Sequence, residues 1–273
     1  MGQELFEQAV NGINMKVLVE GSGPPLLFVH GFPLNHRMWQ AQIEYFKNAF
    51  TVVAPDLRGF GATEVTRGTV TMKQHAEDLN MLLNELGLEE PIIFCGLSMG
   101  GYIAWEFWKH FPQRLNALIL CDTRAGSDTE EGIKNRLKMV DLVLKHGPEP
   151  ISSSMIPNLI SEASQRTHPE IVEKLMEMIQ STDREGIAAS QRGMAERNNF
   201  MEEIRDLQIP TLCLVGSEDQ LTPPDVMKDM SSQIPNSNYT EVPGIGHMAP
   251  MEAPAEVNQI IGEFLASCQE KRY

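Results

Sequence analysis

The chain has 273 residues, of which 42% are hydrophobic and 22% charged, the composition of a globular protein with a sizeable core. Its formal net charge of −15, with no cluster of Lys or Arg, argues against nucleic acid and anionic membrane surfaces as partners. No run of about 18 apolar residues occurs, which excludes a membrane-spanning helix.

The opening Met-Gly-Gln-Glu-Leu-Phe-Glu-Gln has neither the basic nor the apolar region of a secretory leader. Phe6 stands where an acylated Gly2 would be followed by Ser or Thr. Residues 7–10 and 13–20 flank Asn11-Gly12, a strong two-residue turn, and read as a hairpin. After the loop Gly-Ser-Gly-Pro-Pro, residues 26–30 form a short apolar run, the mark of a strand covered on both faces.

From there strands and helices alternate. Residues 38–47 are helical, 51–55 a strand, and 72–86 a helix with Leu79, Leu82, Leu83 and Leu86 on one face. Residues 91–95 are a strand, 99–111 a helix, 115–121 a strand. After a long gap come a strand at 211–215, a helix at 224–234, a strand at 239–242 and a closing helix at 254–267. Such alternation implies an α/β fold with a doubly wound, mostly parallel sheet. The gap between Cys121 and Thr211 spans about 80 residues without a strand, too long for a plain connection. Helical patterns near 130–146, 149–164, 168–180 and 183–199 make it a helical lid. The expected organisation is a core of residues 1–122 and 208–273, with the lid of residues 123–207 inserted in it.

The chemistry concentrates on Gly96-Leu97-Ser98-Met99-Gly100, a G-x-S-x-G placed between a strand and a helix. A serine there projects from a sharp turn, the flanking glycines let strand and helix pass, and the helix N-terminus favours developing negative charge. Ser98 is therefore the expected nucleophile. A serine hydroxyl needs a base near neutral pH. Among the seven histidines, His247 is favoured, in the glycine-flanked loop Pro-Gly-Ile-Gly-His-Met after the last strand. His30 opens a loop earlier in the chain, and His36, His75, His110, His146 and His168 read as ordinary surface or lid residues. The base needs an acid to set its tautomer. Asp219, directly after the strand at 211–215, is favoured and completes the chain order Ser, Asp, His. Its rivals are the adjacent Glu218 and Asp122, which ends the strand at 115–121. Two backbone donors are needed for an oxyanion. They are expected from the N–H of Met99 and the N–H of Phe32, since Pro33 has none.

Other segments read as structural. Asp56 and Arg58 in Asp-Leu-Arg-Gly-Phe-Gly are expected to brace a turn. Met139, Met155, Met176, Met178 and Met194 are expected mainly to pack the lid helices, with an apolar pocket wall as the other reading. Trp39, Trp105 and Trp108 fall on core-helix patterns. The four cysteines form no C-x-x-C pair, and Cys95, Cys121 and Cys213 lie in or beside apolar runs, as thiols of a reducing compartment do. No dinucleotide, P-loop or metal-ligand motif is present, so no cofactor or metal is expected.

Taken together, His30-Gly-Phe-Pro, Asp56-Leu-Arg-Gly-Phe-Gly, Gly96-Leu-Ser-Met-Gly-Gly, Gly216-Ser-Glu-Asp and Gly244-Ile-Gly-His resemble the α/β-hydrolase family across nearly the whole core. Within it the chain is similar to carboxylesterases and 3-oxoadipate enol-lactonases, and the segment from Cys121 to Glu131 resembles the lid entry of that lactonase-like group. Epoxide hydrolases and haloalkane dehalogenases carry aspartate where this chain has Ser98. The resemblance implies a serine hydrolase of small esters or lactones working through an acyl-enzyme, and the leaderless opening with its buried thiols leads us to expect a cytoplasmic location. The same triad leaves open a C–C bond hydrolase, an acyltransferase or a perhydrolase, and the same core a ligand-binding receptor.

Overall fold

In the computed structural model, which describes residues 5–270, strands β1 (Phe6–Val10) and β2 (Ile13–Glu20) pair antiparallel around Asn11 and Gly12. Both turn residues have positive φ, 44° and 79°, as a two-residue hairpin requires. The opening residues read for a leader or for acylation at Gly2 lie outside the described residues as far as residue 4.

The hairpin joins β3 (Pro25–Val29), β4 (Thr51–Pro55), β5 (Ile92–Leu97), β6 (Leu115–Cys121), β7 (Thr211–Gly216) and β8 (Ser237–Val242) in one eight-stranded sheet of order β1-β2-β4-β3-β5-β6-β7-β8. Strands β3 to β8 are parallel, whereas β2 meets β4 antiparallel. Strands β3, β5 and β7 are buried along their whole length, as continuous apolar runs covered on both faces must be. Helices α1 (Gln40–Phe46), α2 (Met72–Glu85) and α3 (Met99–His110) follow β3, β4 and β5, and α2 packs on α3. Helices α9 (Pro224–Gln233), α10 (Ala249–Glu252) and α11 (Pro254–Glu270) close the chain, with α11 against α1. Trp39 and Trp105 are buried, as are Cys95, Cys121 and Cys213.

Strand β3 lies between β4 and β5, so the chain leaves its end toward one side of the sheet and later returns on the other. In open α/β sheets such a switch point opens a crevice beyond the strand ends where ligands bind. Val29 and Gly96 are paired in register there, just before the loop carrying Phe32 and just before Ser98.

Between β6 and β7 the chain forms α4 (Glu130–His146), α5 (Glu149–Leu159), α6 (Glu162–Thr167), α7 (Pro169–Ser181) and α8 (Arg184–Ala195). The single helix expected over 149–164 is two helices. Ile160 is extended (φ −131°, ψ 152°), and the Ser161 side chain caps the new helix by accepting from the N–H of Ser164. The segment is tied to the sheet unit by Val70 N–H to Ala189 O at 3.1 Å and by Thr182 Oγ1 to Pro33 O at 3.2 Å.

His36 and His75 depart from the surface placement expected of them. His75 is wholly buried on the inner face of α2, in a row with Met72, Ala76, Leu79, Leu82 and Leu83. Helical spacing alone puts it there. His36 is buried against Asp56, Nδ1 to Oδ1 2.6 Å. His110, His146 and His168 are exposed. Among the described residues no helix is long and apolar enough to cross a membrane.

Candidate active site

Ser98 sits between β5 and α3 with φ 54° and ψ −110°, a conformation that non-glycine residues rarely adopt. The turn is held from both sides. Ser98 N–H donates to Cys121 O at 3.0 Å, while its own carbonyl accepts from Gly101 N–H, Tyr102 N–H and Thr123 Oγ1. The two flanking glycines are required by close approach. A Cβ on Gly96 would lie 2.5 Å from Gly100 O, and one on Gly100 2.3 Å from Val29 O. Met99 is buried and opens α3, so its N–H belongs to the first turn, which has no partner within the helix.

Asp219 and His247 come together beyond the ends of β7 and β8. His247 Nδ1 and Asp219 Oδ2 are 2.8 Å apart, both groups almost fully buried. Asp219 Oδ1 accepts from Leu221 N–H at 2.8 Å and Thr222 N–H at 3.0 Å, and Oδ2 also accepts from Thr222 Oγ1 at 2.5 Å. Burial opposes ionisation of this carboxyl, but the facing His247 and the Thr222 donors outweigh it and hold its pKa below the usual value. Glu218, the neighbouring rival, is exposed. The other rival, Asp122, is wholly buried close to both residues.

The His247 loop is fixed by a residue the sequence reading passed over. Glu252 Oε1 accepts from Gly246 N–H at 3.0 Å and Met248 N–H at 3.2 Å, and Oε2 from Ser161 N–H at 2.9 Å. Thr222 was also missed, although its place three residues after Asp219, in a turn capped by that aspartate, is a local signal.

Ser98, His247 and Phe32 line one cavity of about 300 Å³. Its remaining wall brings in Tyr102, Arg124, Arg136, Gln191, Leu221 and Thr222. The methionines divide. Met139, Met155 and Met194 face this cavity, so their expected role as packing is only part of what they do; Met178 is buried in packing and Met176 is exposed. Arg124 Nη2 donates to Leu221 O at 2.5 Å, its Nε has no hydrogen-bond partner, and it joins no ion pair among the described residues. Arg136 is paired with Asp128 and reaches Gln191 Oε1 at 3.0 Å; Arg197 shares the same Asp128 and stacks 4.4 Å from the Tyr102 ring.

The Asp56 and Arg58 segment lies outside the cavity wall and braces the fold as expected. Asp56 accepts from His36 N–H and Ala62 N–H at 2.9 Å each, and Arg58 makes a two-pronged pair with Asp78 of α2 at 2.7 and 2.8 Å.

Residues 24–254 match the family model described as the alpha/beta hydrolase fold. Among curated proteins, the chain is 28% identical to 3-oxoadipate enol-lactonase 2 of Acinetobacter baylyi, over 91% of each chain. Among solved structures, it is 43% identical to a thermophilic esterase from Thermogutta terrifontis solved with malate bound, covering 97% of this chain and 99% of that one with a TM-score of 0.94. The enol-lactonase from Burkholderia xenovorans LB400 shares the fold at 22% identity and a TM-score of 0.89, covering 95% of this chain and 99% of that one.

Proposed function

The chain belongs to the α/β hydrolase fold family, and we propose that within it the protein is a serine esterase or lactonase acting on small substrates. The observation that carries this reading is the strained Ser98 sharing a cavity with His247, whose Nδ1 is already engaged by Asp219. Nε2 is then the nitrogen left to take the Ser98 proton. Ser98 Oγ attacks the carbonyl carbon, and the N–H groups of Phe32 and Met99 receive the oxyanion. The alcohol or enol leaves with the proton from His247. Water, deprotonated by His247, then releases the acid from the acyl-enzyme and restores Ser98.

Helices α4 to α8 act as a lid over the cavity, so residues 123–207 set the substrate and the core, residues 1–122 and 208–273, supplies the chemistry. A cavity of about 300 Å³ suits a short acyl group. The Arg124 guanidinium, without a carboxylate partner among the described residues, favours a substrate bearing its own carboxylate. The malate bound to the Thermogutta esterase and the oxoadipate in the enol-lactonase's name are consistent with this. Free, buried thiols at Cys95, Cys121 and Cys213 accord with a cytoplasmic setting.

The test is a substrate panel of p-nitrophenyl esters of increasing chain length, enol-lactones with and without a carboxylate, and dienoates cleaved at a carbon–carbon bond. The expected result is turnover of short esters or lactones, with the carboxylate-bearing members preferred. Turnover of the dienoate with no ester or lactone cleaved contradicts the reading.

A further inference from the structure

Asp122 follows β6 in a left-handed backbone conformation, φ 46°, which only a few non-glycine residues adopt. Its side chain has no exposure to solvent. Oδ1 accepts from Gly216 N–H at 2.9 Å, but Oδ2 has no hydrogen-bond partner. Buried carboxylate oxygens without partners are costly, and each calls for an explanation. The location supplies one. A polar atom of Asp122, one of Asp219 and one of His247 all lie within 4.8 Å of one another. Two carboxyl groups, from the ends of neighbouring strands, thus converge on one imidazole.

We propose that Asp122 is a second acid for His247, a positioning residue held in reserve behind Asp219. This rests on the assignment of His247 as the base. In the intact site Asp219 engages Nδ1, and two carboxylates this close do not both ionise readily. Burial, Asp219, Cys121 and Glu252 push the Asp122 pKa well above the usual carboxylate value, against the Gly216 N–H that lowers it. Ionisation of Asp122 is thus disfavoured beside the Asp219 carboxylate. The groups facing it are Asp219 after β7, His247 after β8, Glu252 on α10 and Cys121 on its own strand. Removing the Asp219 carboxylate removes the nearest like charge and vacates the space at Nδ1. Asp122 can then ionise and turn its unpartnered oxygen to the imidazole.

The experiment is a cycle of Asp219→Ala, Asp122→Asn and the double variant, with kcat/KM followed from pH 6 to 10 and the His247 Nδ1 proton followed by NMR. Asn at 122 keeps an oxygen for Gly216 N–H, and circular dichroism establishes folding of each variant. The expected result is that Asp219→Ala retains at least tenfold more activity than the double variant. Its activity climbs with pH as Asp122 ionises, and a downfield Nδ1 proton persists until Asp122 is also replaced. Equal activity of Asp219→Ala and the double variant across the pH range, with the downfield proton already lost in Asp219→Ala, overturns the proposal. If the unmodified protein cleaves no ester, the functional reading fails by itself, and the NMR measurement still decides the role of Asp122.

Discussion

Glu252 and Ser161 are joined by a 2.9 Å hydrogen bond across 91 positions of chain, from the N-terminal cap of α6 to α10. The other oxygen of the same carboxylate holds the N–H groups on either side of His247. One buried side chain therefore fixes the loop of His247 and fastens the inserted helices to it.

Glu252→Gln keeps the shape but turns one acceptor into a donor facing an N–H. Loss of a hydrogen bond to a buried charged acceptor costs about 2 kcal/mol. We expect a lowered melting temperature together with a fall of about tenfold in kcat. Thermal unfolding and steady-state kinetics on the same preparation check this; unchanged kcat would mean that the His247 loop is held by other contacts.

Thr222 holds the Asp219 oxygen that faces His247. Its hydroxyl reaches Asp219 Oδ2 at 2.5 Å and lies 3.3 Å from His247 Nδ1. Thr222→Val removes that donor while keeping the side-chain volume, and the backbone bonds to Asp219 remain. The expected outcome is a kcat lowered by about tenfold with the fold intact. Because one donor that lowers the Asp219 pKa is gone, the acid limb of activity should move to higher pH. A kcat–pH profile superimposable on that of the unaltered protein would contradict this.

Much of this site is legible in the sequence because its parts are local. Gly-x-Ser-x-Gly, the aspartate after β7 and the glycine-flanked His247 each announce themselves within a few residues, and strand-helix alternation orders them. The partners that tune the site are not local. Glu252 meets Ser161, and Arg124 meets Leu221, only after the sheet and the inserted helices are assembled. The burial of His75 is local too: it lies on the apolar row of α2, where helical periodicity outweighs the polarity of the residue. The break at Ile160 is hidden because Pro157 sits within α5, two residues before the helix ends at Leu159.

His75 makes acid stability a measurable consequence of burial. Burial, with His30 and Arg58 nearby, lowers its pKa from 6.5 to about 3, and neither ring nitrogen has a hydrogen-bond partner. The folded protein holds it neutral, whereas the unfolded chain takes up the proton below pH 6.5. Its contribution to stability is thus complete above pH 6.5 and is lost as pH falls toward 3. His75→Leu removes both the linkage and two unpartnered polar atoms. We expect about 1 kcal/mol of added stability at neutral pH and a shallower loss between pH 6 and 4. Denaturant titrations across that range test it; a slope equal to that of the unaltered protein would show that His75 is not held neutral.

Arg124 carries the charge preference assigned to the cavity. Arg124→Leu should lower kcat/KM for carboxylate-bearing esters by about 10–100-fold, the worth of a charge-assisted hydrogen bond. Neutral esters of the same length should change by less than about threefold, since they draw nothing from the guanidinium. Equal losses on both substrate types would assign Arg124 to the structure of the cavity wall instead.

The central claim is that Ser98 is an activated nucleophile. A fluorophosphonate probe incubated with the folded protein tests it directly, with the modified peptide located by mass spectrometry. The account predicts one label per chain, on the peptide containing Ser98, and neither labelling nor ester turnover in a folded Ser98→Ala variant. An unlabelled native protein, or a Ser98→Ala variant cleaving esters at near-native rate, would contradict it.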